Sequence, residues 1–106
     1  TDNPRFALYA AAYDALLPER PAAPRNQTVT LAGRCCESGD LLARDLPFPD
    51  VKPGDLLAVL ATGAYNYAMA SNYNRVPRPP VVMVSGGKPH TVIRRERYED
   101  LTALDE

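Results

Sequence analysis

The sequence predicts a mainly β fold, a small Greek-key-like barrel or sandwich with short helical segments. Three observations carry that expectation. Eleven prolines and six glycines divide 106 residues into segments too short for a helix bundle. From Gln27 the stretch QTVTLAGR sets Val29 and Leu31 against Thr28 and Thr30, the two-residue period of a half-buried strand. Between VVMVS and KPHTVIRRER stands Gly86–Gly87, a turn dipeptide flanked by two strand-like runs.

Taken in order, the chain begins with an Asn3–Pro4 turn signal, then a short helical turn around residues 6–11 and an extended segment ending at Pro18. PERPAAPRN is a proline-rich connection that neither a helix nor a central strand tolerates. The QTVTLAGR strand follows, and DLLARDLPFPDV supplies a second that stops at a Pro-rich turn. In KPGDLLAVLAT, a Pro-Gly turn leads into an apolar run with the look of a buried strand. GAYNYAMASNYN forms a short helix or an irregular loop. VVMVS and KPHTVIRRER make a hairpin, and YEDLTALDE a short terminal helix. Five or six short strands at hairpin spacing are the pattern of a barrel or sandwich.

Composition excludes several classes of function. A formal charge of −1 supplies no general attraction for nucleic acid or an anionic membrane. No apolar run is long enough to span a bilayer. No basic n-region with an apolar h-region opens the sequence, so the expected location is cytoplasmic. Cys35 and Cys36 are neighbours, so a disulfide between them would be strained and two free thiols in a reducing compartment are expected. Two adjacent cysteines and the lone His90 lack the spaced ligand pairs of a zinc site, and no metal is expected.

Three stretches hold residues suited to chemistry. Cys36–Glu37–Ser38–Gly39–Asp40 places a thiol beside a carboxylate ahead of a turn. Its plainer reading is a strand end with buried cysteines. Strand alternation, however, sends Cys35 and Cys36 to opposite faces, so at most one is core. An unperturbed thiol, with a pKa of about 8.5, is mostly protonated near neutrality and can donate a proton to a carbanion. Tyr65, Tyr67 and Tyr73 interleave with Asn66, Asn72, Asn74, Arg75 and Arg78, which makes either a stacking surface or a cap over the end of a small barrel. Arg5 and Tyr9, at i and i+4 of a helical turn, form either a carboxylate clamp or a solvated arginine over a half-buried ring.

Together, CESGD at 36–40, PGDLLAVLATGAYNYAMASNYNRVPRP at 53–79, NPRFALY at the start and IRRERYEDL near the end resemble the C-terminal domain of the diaminopimelate decarboxylase family. That family falls within the fold-type III pyridoxal-phosphate-dependent decarboxylases. In the related ornithine and arginine decarboxylases the position of Glu37 is typically Asp, so the Cys-Glu-Ser form favours the diaminopimelate branch. The resemblance implies that residues 1–106 are the C-terminal β domain of a two-domain enzyme whose N-terminal TIM-type barrel is absent here. It implies a pyridoxal 5′-phosphate cofactor with a Schiff-base lysine outside this chain, because Lys52 and Lys88 both fall at turns. It further implies that meso-diaminopimelate is converted to L-lysine and CO2, in lysine biosynthesis.

By the same resemblance Cys36 is the catalytic proton donor and Glu37 contacts substrate, both delivered across a homodimer interface. Tyr65 contacts the cofactor and substrate, and Arg5 and Tyr9 hold the distal carboxylate. The isolated chain is expected to be inactive. The alternatives are an ornithine- or arginine-type decarboxylase domain, a non-catalytic β-barrel binding module and a pure dimerisation domain.

Overall fold

The computed structural model describes residues 5–106. The Asn3–Pro4 turn expected from the sequence lies outside them. The chain divides into two compact units, Thr1–Met69 and Ala70–Glu106.

In the first unit a five-residue helix, α1 (Arg5–Tyr9), precedes β1 (Ala15–Leu16), and Pro18 stops β1 almost as soon as it starts. The main ladder pairs β2 (Gln27–Ala32) with β3 (Leu41–Phe48), antiparallel, from Gln27 opposite Phe48 to Ala32 opposite Leu41. Along β2 the odd positions are half-buried and the even ones exposed, as the Val29/Leu31 alternation predicts. β3 has eight residues against six in β2. It absorbs the surplus in register shifts around Leu31, where Asp45 takes a positive φ of 51°. Aspartate is among the few residues that enter this left-handed region readily. α1 packs on β3, with the Arg44 guanidinium 5.9 Å from the Phe6 ring centre.

The core of this unit is Ala15, Leu17 and Phe48, ringed by Val29, Leu31, Leu46 and Val59. The apolar run expected as a full buried strand is corrected here: only β4 (Ala58–Val59) pairs, with β1. Leu56, Leu57 and Leu60 are exposed. Its partner is two residues long, so there is no further ladder for the run to join. α2 (Asn66–Met69) closes the unit.

The second unit opens on a 3₁₀ turn, Tyr73–Arg75, and continues into the hairpin of β5 (Val81–Ser85) and β6 (Lys88–Ile93). Gly86 and Gly87 have φ of 56° and 73°, the pair of positive values that a tight two-residue hairpin needs. Helix α3 (Tyr98–Leu101) ends it, with the Asp100 carboxylate accepting the Arg97 backbone N–H at 2.7 Å. Glu96 ties this unit together. Its carboxylate accepts from Arg78 Nε, the Arg78 backbone N–H and Asn72 Nδ2, each at 2.7 Å.

The fold is thus mainly β with short helices. The strands among the described residues form three separate two-stranded ladders, and no ladder joins them into a closed barrel.

Candidate functional site

Two groups of residues carry the chemistry anticipated from the sequence, and both lie in the first unit. The first is built where α1 and the start of α2 supply side chains to one another. The Arg5 guanidinium carbon lies 4.9 Å from the centre of the Tyr65 ring and 5.7 Å from that of Tyr13, both within cation–π range. Arg5 Nη1 donates to Asn66 Oδ1 at 3.4 Å, and the Tyr13 hydroxyl donates to the same oxygen at 3.2 Å. Tyr13 is buried while Tyr65 is 60% exposed. A cation is therefore held against one exposed aromatic face by a buried phenol and an amide. Tyr9 lies one helical turn beyond Arg5 and is largely exposed at the end of α1.

The second group is the turn joining β2 to β3. Cys35 is half-buried and Cys36 exposed, and neither is in a disulfide. The two neighbours differ in exposure as alternation would have it, although they sit in a run of bends and not in a strand. Glu37 is half-buried, and its carboxylate overlies Gly39, where an added Cβ would come 2.6 Å from Oε2. Asp40 closes the turn from inside. Its side chain is 2% exposed and accepts the Cys35 N–H on Oδ2 at 3.0 Å.

The structure accordingly brings Arg5 and Tyr65 together and sets Cys36 and Glu37 on a separate braced turn. Sequence reasoning missed Tyr13, Asn66 and Asp40 as supporting residues. Asn66 and Asp40 had a signal, as members of the Tyr/Asn/Arg stretch and of the Cys-Glu-Ser-Gly-Asp run respectively, and Tyr13 had none. Of the Tyr/Asn/Arg stretch, Asn72, Arg75 and Arg78 are engaged within the second unit, with Glu96, Asp105 and Glu96 respectively. That pattern fits a folded turn better than a stacking surface. Among the described residues no cluster of three or more His, Cys, Asp or Glu is placed to hold a metal. No helix among them is long and apolar enough to cross a membrane.

An exposed phenol ring beside a fixed cation fits one wall of a site for an aromatic, anionic cofactor such as pyridoxal phosphate. Lys52 precedes the Pro53–Gly54 turn and Lys88 opens β6, and both are exposed.

Comparison with known proteins gives concordant results. The profile of the family described as pyridoxal-dependent decarboxylase, C-terminal sheet domain, matches residues 1–63. Diaminopimelate decarboxylase of Bacillus subtilis is 56% identical over 104 residues, 98% of this chain and 24% of that protein. The enzyme of that name from Mycobacterium tuberculosis is 48% identical over 106 residues, 99% of this chain and again 24% of the relative. Among solved structures, diaminopimelate decarboxylase from M. jannaschii in co-complex with L-lysine superposes with a TM-score of 0.85 at 36% identity, covering 99% of this chain and 24% of that one. The chain thus spans about a quarter of the length of the relatives it matches.

Proposed function

The chain belongs to the C-terminal sheet domain family of pyridoxal-dependent decarboxylases, and from that premise we propose that it supplies part of the active site of a diaminopimelate decarboxylase. In this reading the domain works within a longer polypeptide whose N-terminal barrel holds pyridoxal phosphate on a lysine. Its substrate is meso-diaminopimelate and its products are L-lysine and CO2, in the cytoplasmic synthesis of lysine. The observation that carries the reading is the Arg5–Tyr65 pair, a fixed cation on an exposed aromatic face in a chain of this family. The L-lysine in the M. jannaschii complex supports a site sized for an amino acid of this length.

The cofactor, when bound, draws off the electron density left at Cα as CO2 departs. The residues of this chain do the rest. Arg5 forms charge-assisted hydrogen bonds to the distal carboxylate of the substrate, and the Tyr9 hydroxyl donates a further one. Tyr65 would lie against the cofactor ring, and it holds the Arg5 guanidinium 4.9 Å from its own ring centre. Glu37 orients the substrate's charged amine. Cys36 Sγ delivers a proton to Cα, leaving a thiolate that solvent reprotonates. Cys36 and Glu37 act across a homodimer interface, in the site of the other subunit.

The test is substrate preference in the full-length holoenzyme. Decarboxylation is expected to favour diaminopimelate over ornithine and arginine by about 100-fold or more in kcat/KM, because an amine-ended side chain meets the Arg5 cation with like charge. Equal turnover of ornithine would contradict the assignment.

A further inference from the structure

We propose that Asp40 is a positioning residue, an internal carboxylate that fixes the turn presenting Cys36. The proposal rests on the reading of Cys36 as proton donor and extends it to what holds that thiol in place. Among the described residues Asp40 is the charged side chain that is buried, at 2% exposure. A carboxylate is costly to bury unless its oxygens are hydrogen-bonded. Its position therefore needs a reason: one side-chain contact supplies it, and two backbone contacts of the same residue hold the turn around it.

Oδ2 accepts the backbone N–H of Cys35 at 3.0 Å. The Asp40 C=O accepts the Gly33 N–H at 2.8 Å, and the Asp40 N–H donates to the Glu37 C=O at 3.0 Å. One residue thus grips the turn at Gly33, Cys35 and Glu37, on both sides of Cys36. The grip has no slack at Gly33. A Cβ there would lie 1.9 Å from Asp40 Oδ2 and 2.3 Å from Oδ1, closer than any real contact. Gly33 is therefore the seat of the carboxylate and not merely a flexible link between β2 and the turn. An exposed thiol on a loop would sample many positions. The same thiol on a turn braced from inside keeps one, and proton transfer depends steeply on that placement.

The experiment is steady-state kinetics of the full-length holoenzyme with Asp40→Ala, Asp40→Asn and Gly33→Ala, each alone and combined with Cys36→Ala. In Asp40→Ala, kcat is expected to fall about tenfold or more with KM within about threefold, as a misplaced reacting group requires. Asp40→Asn keeps an acceptor for the Cys35 N–H and should regain most of that loss. On the Cys36→Ala background, removing Asp40 should cost nothing further, because the two residues act as one unit. If Asp40→Ala does not fold, Gly33→Ala decides on the same criterion, a kcat loss that disappears when Cys36 is already gone. A folded variant with wild-type kcat, or with an equal loss on both backgrounds, would overturn the role of Asp40 while leaving Cys36 as donor. Unchanged turnover in Cys36→Ala alone would instead remove the reading beneath it, and this proposal with it.

Discussion

The guanidinium of Arg5 lies 4.9 Å from the centre of the Tyr65 ring, although the two are sixty positions apart in the chain. α1 delivers the cation and the segment leading into α2 delivers the ring. Charge-assisted hydrogen bonds are worth about 1.5–3 kcal/mol, so Arg5→Ala in the full-length enzyme should raise KM for diaminopimelate about 10- to 100-fold. Arg5→Lys should recover only part of this, since an ammonium lacks the planar fork that matches a carboxylate. Initial-rate kinetics check both.

Arg5 is aimed by its neighbours. Asn66 Oδ1 accepts from both Arg5 and the buried Tyr13 hydroxyl. Removing one neutral hydrogen bond costs about 0.5–1.5 kcal/mol, so Tyr13→Phe should raise KM by roughly 2- to 10-fold, and Asn66→Ala, which also removes the charge-assisted bond from Arg5, by at least as much. The two together should fall short of the product of the singles, because they share one acceptor.

Much of this was legible beforehand and some of it could not be. Val29 and Leu31 alternate with threonines, and β2 follows that period residue by residue. Gly86–Gly87 marks its hairpin because a left-handed pair is cheapest for glycine. The DLLAVLA run misled because apolarity states a demand for burial and not the existence of a partner strand, and β1 offers only two residues. Arg5 and Tyr65 were each nominated by local pattern or resemblance, but their pairing is long-range and no spacing encodes it. Asp40 looks like any turn aspartate, and its burial depends on the bare backbone of Gly33 seven residues earlier.

The first unit stands on a small core. Phe48 is fully buried among Ala15, Leu17, Val29 and Leu46, so Phe48→Ala should destabilise this unit by about 3–5 kcal/mol. Thr30, on the exposed side of β2, offers the control: Thr30→Ser should stay within about 0.5 kcal/mol. Urea denaturation followed by circular dichroism measures the difference.

Acid should loosen the second unit through Glu96. The Arg78 side chain and backbone N–H, with Asn72 adding a smaller effect, pull its pKa from 4.5 to about 2. A carboxylate with a depressed folded pKa adds stability that is fully present above its unfolded value and is lost as pH falls through the folded one. The Glu96 contribution should therefore hold above 4.5 and disappear progressively down to about 2. Asp100 is lowered by the Arg94 side chain and Asp14 by that of Arg25, so both lose their share in acid too. Thermal midpoints across this range should then fall less steeply for Glu96→Gln than for the wild type, without becoming flat.

The claim at the centre is that the exposed Cys36 thiol delivers a proton to substrate Cα, and kcat of Cys36→Ala in the full-length holoenzyme tests it most directly. A positioned general acid contributes about 10²- to 10⁴-fold, so kcat should fall by at least about 100-fold with KM little changed. A Cys36→Ala enzyme that turns over diaminopimelate at the wild-type rate would contradict it.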